Sequence, residues 1–217
     1  MNELSPERWS HLWRAATNAV PPEEYFAFLV ALYSEPHRCY HNARHIADCL
    51  GELDQVRQLA AEPLAVELAI WFHDAVYDPR AADNEDRSAE LAKDWLSKSG
   101  AKTALADSVG RLILATKSHD ASGHGDAPLL VDLDLSILGQ PSERFWEYER
   151  QIRAEYSWVA ADVFAAKRAA ILQNFLARAR IYQTEFYFQR LETQARDNLR
   201  ASVEKLRGRS ANFRQDL

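Results

Sequence analysis

The chain has 217 residues, 32 of them acidic and 26 basic, giving a formal net charge of -6 and a pI near 5.7. An acidic balance of this kind excludes general binding along a nucleic-acid duplex, which requires a net basic face. Hydrophobic residues make up 47% and charged residues 27%, the composition of a globular chain that can bury a full core rather than of a disordered one. The opening Met1-Asn2-Glu3-Leu4-Ser5 has no apolar leader core, and Glu67 interrupts the best apolar stretch. A cytoplasmic, soluble protein without a membrane span is therefore expected. Cys39 and Cys49 lack the C-x-x-C spacing and are read as two small buried hydrophobes in a reducing compartment.

Glycine is scarce, alternating β-type runs are few, and helical spacing dominates. Ser5-Pro6-Glu7 opens a first helix, with proline at a permitted first-turn position. Pro21-Pro22-Glu23-Glu24 opens a second, with acids where the helix dipole favours them. A third is predicted from about His41 to Ala61, on the spacing of Ile46, Leu50, Leu53 and Val56. Pro63 opens a fourth that ends near His73-Asp74. After a polar loop, Asp83 is placed as the N-cap of a helix from Asn84 to about Ser99, stopped by Gly100. Lys102 to Ser118 is predicted helical, Asp120 to Pro128 a loop, and Leu129 to Leu138 a short helix closed by Gly139. Two long helices complete the chain, with a break near Val159–Asp162, and the amphipathic stretch Thr184 to Arg207 fades into a polar tail. The expectation is one all-α domain over 1–217, a bundle of about nine to eleven helices. Its site-bearing core covers about 38–158, with the helices of 160–207 packed on it. The last helix, with Phe186, Leu191, Ala195 and Leu199, closes that core or forms a homodimer seam.

Three segments carry chemistry. His41 and His45 are one turn apart if helical, a spacing that offers two imidazoles to one centre or simply places two histidines at a helix start. His73-Asp74 ends the apolar run Leu68-Ala69-Ile70-Trp71-Phe72. A charged carboxylate at the end of a buried helix needs a partner, and a metal ion is the strongest one. Val131-Asp132-Leu133-Asp134-Leu135 sets two acids among aliphatics. Asp132 is read either as a cap or as a ligand, and Asp134, between two leucines, as a ligand. Together these imidazoles and carboxylates make a hard-to-borderline divalent site.

Around them, Glu85 either orients water or stabilises a helix N-terminus. His119 either serves the site or ends a helix. His124 lies in a glycine-containing loop. Asn42, Asn84, Lys117 and Arg153 are candidate substrate contacts, Arg153 as a bidentate phosphate fork or as the partner of a helical glutamate.

The order H…HD…D resembles the HD-domain superfamily of metal-dependent phosphohydrolases. His41-Asn42-Ala43-Arg44-His45, Ala115-Thr116…His119 and Asp134-Leu135-Ser136 look like elements of the cyclic-nucleotide phosphodiesterases. After His73-Asp74 the chain departs from those enzymes, with Ala75-Val76-Tyr77-Asp78 where they have a further acidic-histidine element. The chain is more similar to a group of small bacterial predicted HD phosphohydrolases, which carry Y-H-N-x-x-H, W-F-H-D-A-V-Y-D, N-E-x-x-S-A, T-x-x-H, D-L-S-I-L-G and R-x-E-Y. All six stand between Tyr40 and Tyr156.

The resemblance implies His45, His73, Asp74 and Asp134 as ligands of a divalent metal (Mn, Fe, Mg, Zn, Co or Ni), with one or two ions. It implies His41 as a proton donor or phosphate contact, with Glu85 and His119 in the catalytic set. The expected reaction is hydrolysis of a phosphate ester of a nucleotide or other small metabolite by metal-activated water. The competing expectations are an HD-fold di-iron oxygenase and a non-catalytic binding module stabilised by its metal.

Overall fold

The computed structural model describes residues 4–119 and 125–212. Among them the chain is all-helical and has no strand, in agreement with the helical spacing of the sequence. The helices are α1 (Pro6–Thr17), α2 (Glu23–Leu32), α3 (Ala43–Val56), α4 (Pro63–Phe72), α5 (Asn84–Lys98), α6 (Thr103–Thr116), α7 (Ala127–Asp134), α8 (Ser142–Glu155), α9 (Ala161–Ala177) and α10 (Glu185–Asn212), with 3-10 segments at Arg57–Leu59 and Leu135–Gly139. None is long and apolar enough to cross a membrane. The predicted loop at Asp120 to Pro128, with His124, falls partly outside the described residues. The chain clusters into two compact units, Met1–Asp134 and Leu135–Leu217.

In the first unit α4 is the central element. Every residue from Ala65 to Phe72 is buried, because α4 packs against α1, α3, α5, α6 and α7. A helix covered on all sides needs no polar face, which is why its sequence is nearly all apolar. Its one acid, Glu67, is buried between two guanidinium groups. Arg8 Nε donates to it at 2.6 Å, and Arg57 takes its other oxygen. Trp9 lies 4.9 Å from Trp13 and 5.3 Å from Trp71, ring centre to ring centre, and joins α1 to α4. Tyr25 stacks on Trp95 at 3.9 Å, and so joins α2 to α5.

Several boundaries differ from the sequence reading, each for a local reason. α3 starts at Ala43, not His41, because Asn42 is extended and its Oδ1 accepts the N–H of Arg44 at 3.0 Å. His41 thus precedes the helix and shares no helical face with His45. Asp83 does stand at the N-cap position of α5 but makes no side-chain cap bond. Asn84 closes the preceding loop instead, pairing with the N–H and C=O of Asp78 at 3.0 and 2.9 Å. The predicted helix through Leu138 is α-helical only to Asp134 and then tightens into the 3-10 segment. Gly100 ends α5 with φ +81°, the left-handed conformation its lack of Cβ permits.

The second unit holds three helices rather than two, since the chain also breaks after Ala177. The Glu192 carboxylate accepts the backbone N–H groups of Ile181 and Tyr182 at 3.0 to 3.2 Å and so fixes the α9–α10 connection. Arg196, paired with Glu192, donates to the carbonyls of Leu176, Arg178 and Ala179. Half-buried Arg168 meets Glu149 at 2.5 Å and Tyr148 Oη at 2.8 Å.

Candidate metal centre

Four side chains from three remote segments converge at one end of the first unit. His45 lies in the first turn of α3. His73 is the C-cap of α4, with Asp74 immediately after it, and Asp134 is the last residue of α7. His45 Nε2 stands 3.1 Å from His73 Nε2, 3.4 Å from Asp74 Oδ2 and 3.2 Å from Asp134 Oδ1. His73 Nε2 is 3.2 Å from the same Asp74 oxygen and 3.6 Å from the same Asp134 oxygen. Both histidines are buried, and both carboxylates are largely so.

These separations match donors around one ion. Bonds of about 2.1 Å place neighbouring ligand atoms roughly 3.0 Å apart at right angles and roughly 3.4 Å apart in a tetrahedron. His73 Nδ1 lies 3.0 Å from the carbonyl oxygen of Ile70. A ring nitrogen facing a carbonyl carries the proton, so Nδ1–H donates and Nε2 is turned to the cluster, the arrangement ligating histidines use. The donor types of all four residues suit a divalent cation, and His45, His73 and Asp74 bring one ligand atom each within 4.8 Å of one another.

The charges support this. Burial opposes the charged form of His45, but Cys49, Tyr40 and the carboxylates of Asp134 and Asp74 outweigh it and raise its pKa well above the usual imidazole value. Burial likewise opposes the charged form of His73, and Asp74 and Asp134 outweigh it in the same direction. Burial would raise Asp74, yet His73, His41 and His45 hold it well below the ordinary carboxylate range. Asp134 is lowered in the same way, by His119, His45 and His73 against its burial. Two Nε2 atoms 3.1 Å apart cannot both point protons at one another. Two carboxylates packed against two imidazoles thus call for positive charge at this point.

The catalytic candidates divide. His119, with φ +47° just beyond α6, reaches the other oxygen of Asp134, Nε2 to Oδ2 3.3 Å. His41 is half-buried at the rim, stacked on Tyr77 at 4.4 Å and edge-on to Tyr40 at 5.0 Å, and its charge acts on Asp74. Glu85 is in the first turn of α5, where its charge acts on Lys117, and no hydrogen bond joins it to the cluster among the described residues. Asp132 is fully buried in α7.

The four expected substrate contacts have local partners. Asn42 caps α3, and its amide donates to the Cys39 carbonyl at 2.9 Å. Asn84 clasps Asp78. The Lys117 ammonium pairs with Asp86 at 2.5 Å. Arg153, in the second unit, donates to the carbonyls of Tyr156 and Val159 at 2.6 and 3.0 Å, closing the end of α8, and pairs with no glutamate among the described residues.

One residue with a direct hold on the site has no reading in the sequence. Arg38 is buried, and its guanidinium donates to the backbone carbonyls of His41 (3.2 Å), Asp74 (2.6 Å) and Ala75 (2.9 Å) and to the Glu35 carboxylate (2.9 Å). It ties the loop bearing His41 to the chain leaving α4. Its only sequence signal was a charge two residues before Tyr40-His41.

Comparison with known proteins finds no matching family model, no matching curated protein and no matching solved structure. The chemical reading of the centre rests on its donors.

Proposed function

We propose that this chain is a metal-dependent phosphohydrolase of the HD-domain type, cleaving a phosphate ester of a nucleotide or another small phosphorylated metabolite. The observation that carries the reading is the convergence of His45, His73, Asp74 and Asp134, with the two Nε2 atoms 3.1 Å apart and each 3.2 to 3.6 Å from an oxygen of both aspartates. A divalent ion held there supplies Lewis-acid polarisation of a phosphoryl oxygen and activation of water. The chain's own groups supply the rest. Asp74 and Asp134 give the anionic donors, and the Nδ1–H bond to Ile70 fixes the His73 ring. His41, outside the four-donor set and stacked on Tyr77, gives the proton to the departing alkoxide in this reading. His119 holds the outer oxygen of Asp134.

The test is elemental analysis of purified protein followed by a phosphoester panel, with metals added back after chelation. At least one transition metal per chain and a metal-restored phosphoesterase activity are expected. His41→Ala should keep the metal and lose most of the turnover, whereas His73→Ala should lose both. A wild-type protein that binds no divalent metal under these conditions ends the proposal. One that binds metal but hydrolyses none of the panel ends the phosphohydrolase assignment and leaves only the centre.

A further inference from the structure

Cys49 follows His45 by four residues on α3, so both project from one face of that helix. The thiol is buried, with 2% of the residue exposed. Its Sγ lies 3.8 Å from His45 Nδ1, 4.0 Å from His45 Nε2 and 3.8 Å from the carbonyl oxygen of Leu133. A His45 ring nitrogen, Cys49 Sγ and an Asp134 carboxylate oxygen lie within 4.8 Å of one another. This second donor group shares two members with the first.

We propose that Cys49 supplies a sulfur donor to the ion held by His45, His73, Asp74 and Asp134, and that the centre consequently selects a thiophilic transition metal, of the zinc or cobalt class, over magnesium. The inference rests on the metal-centre reading above and adds to it which ion the site takes. Three observations carry it. The first is distance. In a five-donor set, a nitrogen at about 2.0 Å and a sulfur at about 2.3 Å from one ion stand roughly 3.0 Å apart at right angles and roughly 4.3 Å apart when opposite. The observed 4.0 Å to Nε2 lies within that range.

The second is the weakness of the thiol's hydrogen bonding. At 3.8 Å its contact with the Leu133 carbonyl is a weak one, and the side chain forms no disulfide. The third is the alternative. Magnesium takes near-octahedral oxygen ligands and keeps several waters. Two imidazoles and a thiol beside two carboxylates are a poor match to that demand and a good one to borderline and soft ions. On coordination the thiol proton leaves to water and the sulfur–metal bond replaces the S–H bond.

Cobalt(II) absorption spectroscopy on the full-length protein decides this. Thiolate coordination gives a near-ultraviolet sulfur-to-cobalt charge-transfer band, while the visible ligand-field bands report cobalt binding whatever the donors. The expected result is both sets of bands at one cobalt per chain. In Cys49→Ser the near-ultraviolet band is lost with the visible bands retained, and zinc loses at least tenfold of its advantage over magnesium. Cys39→Ser should keep every band. Stoichiometric cobalt with visible bands and no charge-transfer band overturns the proposal, as does loss of the band in Cys39→Ser. Failure of the wild-type protein to bind cobalt, zinc or any other divalent ion instead removes the centre itself. If Cys49→Ser does not fold, X-ray absorption on the wild-type cobalt form replaces it. A sulfur scatterer at about 2.3 Å supports the inference, and a shell of nitrogen and oxygen alone refutes it.

Discussion

Arg38→Ala should be among the most damaging single substitutions in the first unit. The guanidinium satisfies three backbone carbonyls and one carboxylate, and its side chain is wholly shielded from solvent. Hydrogen bonds to a charged donor each contribute about 1.5–3 kcal/mol, and the carbonyls of His41, Asp74 and Ala75 would lose theirs together. The losses share one donor and do not add fully, and Glu35 stays solvated, so the cost is set by three carbonyls left without their donor at about 1–3 kcal/mol each, about 3–5 kcal/mol together. Against a typical stability of 5–15 kcal/mol, that leaves a folded but weakened protein. Equilibrium urea unfolding measures it, and the midpoint should fall with little change in slope. Arg38→Lys should recover only part of the loss, because one ammonium does not reproduce a planar fork aimed at several acceptors. Since Asp74 is a proposed ligand and its own carbonyl is among those released, metal affinity should also weaken by about 10–100-fold, as for other groups that orient ligands. An Arg38→Ala protein within about 1 kcal/mol of wild type with unaltered metal affinity would show that this tether does not position the site.

Metal affinity should climb with pH, by about tenfold per unit for each proton displaced, because His45 and His73 are held above the usual imidazole value by the carboxylates they neighbour; a competition titration flat between about pH 6 and 8, the interval flanking the ordinary histidine value, would refute this. In the ion-free protein, the stability that these raised imidazoles contribute is present below about pH 6.5 and disappears as pH rises through their folded values, whereas that of Asp74 and Asp134, both lowered, is present above about pH 3.8 and disappears as pH falls through theirs. Thermal melts across pH should show both limbs. Gly139→Ala should destabilise the second unit by about 1–3 kcal/mol, since an added Cβ would lie 2.6 Å from Leu191 Cβ and 2.9 Å from its carbonyl oxygen. Gly110→Ala should cost far less in the same denaturation assay, because there the Cβ meets only the flexible Lys93 side chain, at 2.9 Å. Inorganic phosphate should bind the metal-loaded protein and not the chelated one in calorimetry; equal heats would break the link between ion and substrate.

The donors were legible before the fold because histidine and aspartate beside or among apolar residues have few inexpensive explanations. His73 and Asp74 after five apolar residues, and Asp134 between two leucines, carried that signal, and the structure brings them together with His45. Helix starts were legible where proline or a capping side chain marks them, at Ser5 and Pro63, and the stop at Gly100 where a positive φ favours glycine. What escaped depends on partners that leave no side-chain trace. Arg38 acts on backbone carbonyls, which every residue possesses. Asn42 shortens α3 by one side-chain bond that competes with a helical turn, so His41 moved off the face it was expected to share with His45. The 3-10 tightening after Asp134 and the extra break after Ala177 arise from tertiary packing, as in the glutamate that gathers the Ile181 and Tyr182 amides. Periodicity does not encode such events. Cys49 is the intermediate case. Its four-residue spacing from His45 was visible, but a buried cysteine in an apolar pattern reads as packing until its sulfur is seen beside an imidazole.

The positions of the donors along their helices bear on why a cation, and not an anion, belongs here first. His73 and Asp74 sit at the C-terminal end of α4 and Asp134 at that of α7. A helix C-terminus carries about half a negative charge. The α4 end therefore adds to the two carboxylates, and His45 approaches from a helix N-terminus. The nearby positive groups do not reverse that balance. Arg38 is engaged by carbonyls and Glu35, and Lys117 by Asp86. Without a metal the raised imidazoles of His45 and His73 only offset the carboxylates of Asp74 and Asp134, so a phosphate would find no net positive charge there. With a divalent ion in place, the same carboxylates and the α4 end become its counter-charge, and His41 and His119 remain beside it to meet an anion. On the proposed reading, cation binding should therefore precede phosphate binding.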